Sequence, residues 1–106
     1  MVSMKESAKR MNKTKIIETL KSYKRSSDYC DKIKELGMFG SYATGKNIGK
    51  SDIDIFVKLE PAKMFDLISI KNDLEKLLGE KVDIIAIRKS MNKYLKNQIK
   101  QYGIYV

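Results

Sequence analysis

Hydrophobic and polar residues alternate along this chain with two distinct periods. Apolar residues spaced three and four positions apart predict amphipathic helices, and shorter apolar runs bounded by glycine, proline or asparagine predict strands. The predicted helices span about 14–25, 61–78 and 91–101, and the predicted strands span 35–39, 52–59, 81–87 and, more briefly, 104–106. Helices and strands that are interleaved in this order predict an α+β fold, in which helices flank a small mixed or antiparallel sheet.

The same pattern sets the extent of the folded region. Residues 1–12 are polar and weakly patterned, which predicts an N-terminal tail. Residues 13–106 have the length of one small domain, and a hydrophobic fraction of 42% is ordinary for such a domain. No apolar run approaches the roughly 20 residues that cross a bilayer, and the N-terminus has no hydrophobic block like that of a signal peptide. We therefore expect a cytoplasmic protein with no membrane association.

The chain is strongly basic, with 22 lysines and arginines against 13 aspartates and glutamates and a formal net charge of +9. This charge attracts polyanions at long range, whether a triphosphate, a nucleic acid or an acidic protein surface. Only three basic residues are arginines. Because base readout and bidentate phosphate binding favour arginine, nucleic acid is an open but not a favoured partner. Lysines spread over a solvated surface are the simpler interpretation.

The chain has no histidine and a single cysteine, Cys30. This composition excludes an internal disulfide, and it removes both the commonest zinc ligand and the usual general base of a nucleophilic triad. We expect Cys30 to be a packing residue.

Two aspartates, Asp52 and Asp54, alternate with isoleucines in the second predicted strand. Strand geometry places both carboxylates on one face of the sheet. An Asp-x-Asp pair alone is more often a feature of an edge strand than a metal site. Asp83 changes this assessment, because it lies among valine and isoleucine in another apolar strand. A buried ionised carboxylate needs a partner, which is either a neighbouring lysine or a metal ion.

If the strand that carries Asp83 pairs beside the strand that carries Asp52 and Asp54, three carboxylates converge. Like charges so close together repel unless divalent cations lie between them. Carboxylate, phosphate and water oxygens are the ligands that Mg²⁺ prefers. Two such ions about 4 Å apart would stabilise the attacking and leaving oxygens of an in-line displacement at phosphorus. The three aspartates are therefore candidate metal-binding and catalytic residues.

A candidate phosphate-binding turn precedes these aspartates. Gly40 and Ser41 follow a predicted buried strand and come about ten residues before Asp52. Glycine lets the backbone approach a phosphate, serine adds a hydroxyl donor, and the N-terminus of a following helix favours anions. A plain turn with an N-capping serine is the alternative, and only the spacing to the aspartates favours nucleotide binding by Gly40 and Ser41.

The stretch with these residues resembles a known signature. The spacing of Gly-Ser and Asp-x-Asp is similar to that of the polymerase-β-like nucleotidyltransferase superfamily, and the sequence that carries it is GSYATGKNIGKSDIDIFV. The chain most resembles the minimal nucleotidyltransferases (MNT), which pair with HEPN-domain proteins in prokaryotic toxin–antitoxin modules. The resemblance runs from about Leu36 to the C-terminus.

The resemblance implies a fold like the polymerase-β palm and assigns roles to single residues. Gly40 and Ser41 would bind the triphosphate, Asp52 and Asp54 would hold the Mg²⁺ ions, and Asp83 would complete the metal site or help to deprotonate the attacking hydroxyl. It also implies ATP as donor, a tyrosine hydroxyl of a HEPN ribonuclease toxin as acceptor, and a hetero-oligomer with that toxin. Adenylylation would then silence the toxin.

One position departs from the family pattern, because many relatives carry arginine where this chain has Thr44. Lys46 or Lys50 could supply the missing positive charge. Two alternatives to an active protein adenylyltransferase stay open: an antitoxin with little or no catalysis that neutralises its partner by binding, and a nucleotidyltransferase that acts on RNA or a small molecule. The sequence shows no arginine-rich or aromatic strip on which bases could stack, so the RNA alternative is not favoured.

Overall fold

The computed structural model describes residues 13–40 and 52–106. Within these ranges the chain forms three helices and a four-stranded mixed sheet, which confirms the predicted α+β class. In chain order the elements are α1 (Lys13–Ser26), β1 (Ile33–Phe39), β2 (Ile53–Leu59), α2 (Met64–Leu78), β3 (Val82–Ala86), α3 (Lys93–Tyr102) and β4 (Ile104–Tyr105). The predicted tail, 1–12, lies outside the described residues.

The sheet has the strand order β3-β2-β1-β4. The central strand β2 pairs antiparallel with β1 and parallel with β3, and β4 pairs antiparallel with the other side of β1. A parallel pair needs a crossover connection, and α2 provides it between β2 and β3. This connection places the start of β3 beside the start of β2, where the aspartates lie.

One face of the sheet carries the main hydrophobic core. The side chains of Ile53, Ile55 and Val57 alternate along β2 toward this face and are fully buried. Helices α1 and α2 cover it with apolar residues at helical spacing, chiefly Ile16, Leu20, Ile70, Leu74 and Leu78.

The two covering helices are also joined by a polar contact. The Tyr23 hydroxyl on α1 donates a 2.8 Å hydrogen bond to Asp73 Oδ2 on α2. Burial and the neighbouring Asp73 carboxylate both raise the pKa of Tyr23, so the phenol stays protonated. The contact therefore persists throughout the ordinary pH range.

The opposite face of the sheet is covered less completely. Phe56 points to this face and is fully buried, with its ring centroid 4.7 Å from that of Tyr105 in an edge-on arrangement and 6.3 Å from that of Phe39. Ile99 of α3 is buried as well. The three aromatic rings form an apolar floor on this face of the sheet. The charged residues of β2 lie on either side of this floor.

Most predicted boundaries lie within two residues of the observed ones, and three details differ from the predictions. Strand β1 begins at Ile33, two residues before the prediction, and contains an irregularity between Ile33 and Glu35. Helix α2 begins at Met64 and not at Pro61, and residues 60–63 form a non-helical connection before it. The expectation that Cys30 packs in the interior is wrong, since its side chain is exposed. None of the helices described here is long and apolar enough to span a bilayer.

Candidate active site

Two of the three predicted aspartates lie side by side. Asp54 on β2 and Asp83 on β3 are register partners in the parallel pair. Neighbouring strands are about 4.8 Å apart, and register partners point to the same face. The strand pairing on which the predicted convergence depended is therefore present, because β2 and β3 are neighbours in the sheet, and it brings Asp83 beside Asp54.

Asp52 extends this pair at the open end of the strand. It precedes β2 by one residue and is exposed. Its charge contributes to the raised pKa of Asp54. The three aspartates therefore form one electrostatic group at the edge of the sheet face that carries Phe56.

Asp54 is the carboxylate most strongly affected by this arrangement. Its pKa is raised from 3.8 to about 6, first by loss of hydration, then by the charge of Asp83 and finally by that of Asp52. Phe39 contributes to the dry surroundings, because it faces Asp54 across the antiparallel β1–β2 register. A positive charge bound next to Asp54 would therefore stabilise its ionised form.

Asp83 departs from the sequence-based expectation in one respect. It was expected to be buried among apolar neighbours, but it is exposed. The reason is that one face of β3 packs against the main hydrophobic core, whereas the other lies on the less completely covered face of the sheet. Val82 is buried on that packed face, and Asp83 points to the other side, where it is open to an approaching ligand.

Gly40 lies directly against the carboxylate group. Its backbone has a φ of 78°, in the left-handed region that glycine adopts freely. A Cβ atom at this position would overlap Asp54 Oδ2. Any other residue would therefore push the Asp54 carboxylate away, so glycine keeps the end of β1 in contact with the candidate site. Ser41, Thr44, Lys46 and Lys50 lie outside the described residues.

The donor set fits a hard divalent cation that is completed by other oxygens. In residues 13–40 and 52–106 no group of three histidine, cysteine, aspartate or glutamate side chains is gathered closely enough to hold a metal by itself. Carboxylates that repel one another on an open face nevertheless suit Mg²⁺, which usually takes one or two carboxylates together with water and substrate phosphates. Asp52, Asp54 and Asp83 could hold such an ion jointly with a triphosphate.

Phe56 is a supporting residue that the sequence interpretation missed. It lies two positions after Asp54, and the strand period of two that placed the aspartates together also places Phe56 on their face. Its burial under Tyr105 and Phe39 was not foreseen, because those contacts join β1, β2 and β4.

Comparisons with known proteins place the chain in a family. The model of the family described as "Nucleotidyltransferase domain" matches residues 13–106. The chain is 37% identical over 94 residues to MJ1217, a candidate protein adenylyltransferase of Methanocaldococcus jannaschii, covering 88% of this chain and 96% of that protein. It is 32% identical over 75 residues to the protein adenylyltransferase MntA of Thermococcus cleftensis, covering 70% of this chain and 75% of that protein.

Several solved structures have a similar fold. A candidate minimal nucleotidyltransferase superposes with a TM-score of 0.72 at 26% identity, over 90% of this chain and 96% of the other. A chain of a toxin–antitoxin complex with AMP-PNP has a TM-score of 0.66 at 27% identity, over 90% and 72% of the two chains. A chain of the complex between the tri-AMPylated HEPN toxin and the MNT antitoxin of Shewanella oneidensis has a TM-score of 0.58 at 25% identity, over 89% and 67% of the two chains.

Proposed function

Because the chain belongs to the nucleotidyltransferase domain family, we propose that it transfers AMP from ATP to a hydroxyl of a protein partner. We propose further that the partner is a HEPN ribonuclease toxin, that the acceptor is a tyrosine, and that the chain acts as the antitoxin. The observation that carries the transfer chemistry is the side-by-side placement of Asp54 and Asp83 on one open sheet face.

The three aspartates have distinct parts in this proposal. Asp52 and Asp54 hold the cations that accompany the triphosphate, and Asp54 gains most from them because burial and two like charges disfavour its ionised form. Asp83 is exposed on the edge strand, where it completes the cation site or accepts the proton of the attacking hydroxyl. Two Mg²⁺ ions, when bound, would supply positive charge to the attacking and leaving oxygens at the α-phosphorus.

The reaction needs no covalent intermediate on the enzyme. The acceptor oxygen forms a bond to the α-phosphorus, the bond from that phosphorus to the bridging oxygen breaks, and pyrophosphate leaves. Gly40 keeps the backbone at the end of β1 close to Asp54, and with Ser41 we propose that it binds the triphosphate. Backbone amides that approach a phosphate closely bind it without a side chain in between.

The protein acceptor is supported by the relatives. MntA of Thermococcus cleftensis is named a protein adenylyltransferase, and one structural neighbour is a chain of a complex between an AMPylated HEPN toxin and an MNT antitoxin. The described residues form one small sheet with three helices. We propose that the hydroxyl is presented by another molecule.

A labelling experiment tests the proposal. The chain is incubated with α-labelled ATP, Mg²⁺ and the protein that the adjacent open reading frame encodes, and a parallel reaction uses the variant Asp52→Asn/Asp54→Asn. We expect label on the adjacent protein with the unmodified chain and at least a hundredfold less label with the variant. Mass spectrometry of the labelled protein then locates the modified residue.

Other results would contradict specific parts of the proposal. If the variant neutralises the toxin as well as the unmodified chain and no label appears, binding and not catalysis is the activity. If label appears on added tRNA and not on protein, the acceptor is RNA. If AMP is found on a residue other than tyrosine, the acceptor assignment is wrong while the transfer chemistry stands.

A further inference from the structure

A basic cleft lies at the far end of the strand pair that carries the aspartates. It has a volume of about 360 Å³. Its walls come from the end of β2, the segment after β3 and one turn of α3, and the lining residues are Lys58, Leu59, Glu60, Ala62, Ile87, Arg88, Lys89 and Lys96. Four of these residues are basic and one is acidic.

The positive charges of this basic cleft are not neutralised within the described part of the chain. Its four cationic side chains have no ion pair with any carboxylate of residues 13–40 or 52–106. Elsewhere in the fold lysines do find such partners, as Lys32 does with Asp66 at 3.3 Å and Lys71 with Glu75 at 3.0 Å. Cations that are concentrated in a concave site without partners attract an anionic ligand.

The position of the basic cleft relates it to the candidate active site. Lys58 lies four residues after Asp54 on β2, which is an even number, so both side chains point to the same face of the sheet. Four residues of strand correspond to roughly 13 Å. A standard protein interface covers about 800 Å² per partner. An interface of this size that is centred on Asp54 is wide enough to include the basic cleft.

We propose that the basic cleft binds an acidic segment of the protein that accepts the nucleotide. This inference rests on the proposed function and names the surface chemistry of its partner. An Asp- or Glu-rich segment fits better than a nucleic acid, because the cleft contains three lysines but only one arginine and no aromatic residue on which a base could stack. Leu59, Ala62 and Ile87 add apolar surface for the aliphatic part of such a segment.

A binding experiment with a defined probe tests this assignment. The probe is a fluorescently labelled hexaglutamate peptide, and binding is followed by anisotropy at low salt. The test variant is Lys58→Glu/Lys96→Glu. The matched control is Lys13→Glu/Lys76→Glu, which changes the net charge by the same amount at exposed positions outside the cleft. We expect at least a tenfold weaker affinity in the test variant and less than a twofold change in the control.

Two results would overturn the assignment. One is an equal loss of affinity in the test and control variants, since the attraction would then come from net charge alone. The other is tighter binding of hexa-adenylate RNA than of hexaglutamate at the same lysines, since the cleft would then be a phosphate site.

Binding of ATP with Mg²⁺ is measured on the same proteins to separate the two proposals. We expect the test variant to bind ATP within twofold of the unmodified chain, because the substituted lysines lie away from the aspartates. If the unmodified chain fails to bind ATP while the hexaglutamate result holds, the proposed transfer function fails and the acidic-segment site stands. If ATP binds and the hexaglutamate result fails, the reverse conclusion follows.

Discussion

Asp54 and Asp83 are register partners on adjacent parallel strands, and their carboxylates point to the same face of the sheet. The pair comes from two segments that are separated in sequence by the whole of α2. The two carboxylates repel each other, since the charge of Asp83 helps to raise the pKa of Asp54. Separating them would therefore increase the stability of the folded state. The placement therefore costs stability in the free protein and is consistent with a cation site.

Asp54→Asn should stabilise the protein in the absence of divalent cations. The pKa of Asp54 is about 6 in the fold against an ordinary 3.8, so the destabilising contribution is full above about pH 6 and disappears below 3.8, where the group is protonated in both states. After a discount for partial exposure, we expect a gain of about 1 kcal/mol near pH 8. Thermal unfolding across pH measures it. A variant that is less stable than the unmodified chain near pH 8 would contradict the pKa argument.

Mg²⁺ with a non-hydrolysable ATP analogue should raise the melting temperature of the unmodified chain. A ligand that binds only the folded state stabilises it by about 2.7 kcal/mol at a hundredfold excess over its dissociation constant. The same addition should leave Asp52→Asn/Asp54→Asn nearly unchanged, because the carboxylates that hold the ion are lost. Differential scanning fluorimetry checks both proteins. An equal rise in the two would place the ligand elsewhere.

Gly40→Ala should abolish nucleotide transfer, whereas Gly79→Ala should not. Both glycines have positive φ, 78° and 70°, so both alanines pay a similar backbone penalty of about 1 kcal/mol. Only at Gly40 would the added Cβ overlap Asp54 Oδ2, since nothing lies within 4 Å of the corresponding atom at Gly79. Transfer rates normalised to folded protein provide the measurement. Equal activity in the two variants would show that Asp54 can move without consequence.

Phe56→Ala should destabilise the protein by about 3–5 kcal/mol. Phe56 is fully buried and its ring contacts that of Tyr105 at a centroid distance of 4.7 Å. Phe65→Ala is the matched control, because the Phe65 side chain is 83% exposed and its removal should cost little. Chemical denaturation measures both. Similar midpoints for the two variants would show that the aromatic floor beside the aspartates does not stabilise the sheet.

Glu75→Gln should weaken the attachment of β3 to α2. The Glu75 carboxylate accepts a 2.9 Å hydrogen bond from the backbone amide of Val82, next to Asp83, and one of 3.0 Å from Lys71 Nζ. The bond from Val82 and then that from Lys71 lower its pKa below 4.5. Its contribution to stability is therefore present above pH 4.5 and is lost as the pH falls through the lowered value.

Denaturation curves at neutral and acid pH check this prediction. The difference in midpoint between Glu75→Gln and the unmodified chain should be largest at neutral pH and should shrink in acid. Glu80→Gln is the control, since Glu80 is exposed and has no hydrogen bond or ion pair with the described residues. A difference that does not depend on pH would mean that the charge of Glu75 is not what matters.

Much of the fold could be read from local patterns. Spacings of three and four residues gave α1 and α2 nearly to their ends, because each helix buries one apolar stripe. The pattern was less informative at helix starts and in short strands. Pro61 suggested a helix start that occurs at Met64, and the apolar neighbours of Asp83 suggested a burial that does not occur, because Asp83 lies on the less covered face of the sheet.

The sequence by itself predicted that Asp52 and Asp54 share a face, because the side-chain period of a strand is two and requires no knowledge of neighbouring strands. Only the tertiary structure decided that β3 lies beside β2, that Asp83 thereby joins Asp54, and that Gly40 touches the same carboxylate. The physical reason is that strand order depends on how α2 packs across the sheet. That packing is a sum of contacts between distant segments, which no local pattern contains.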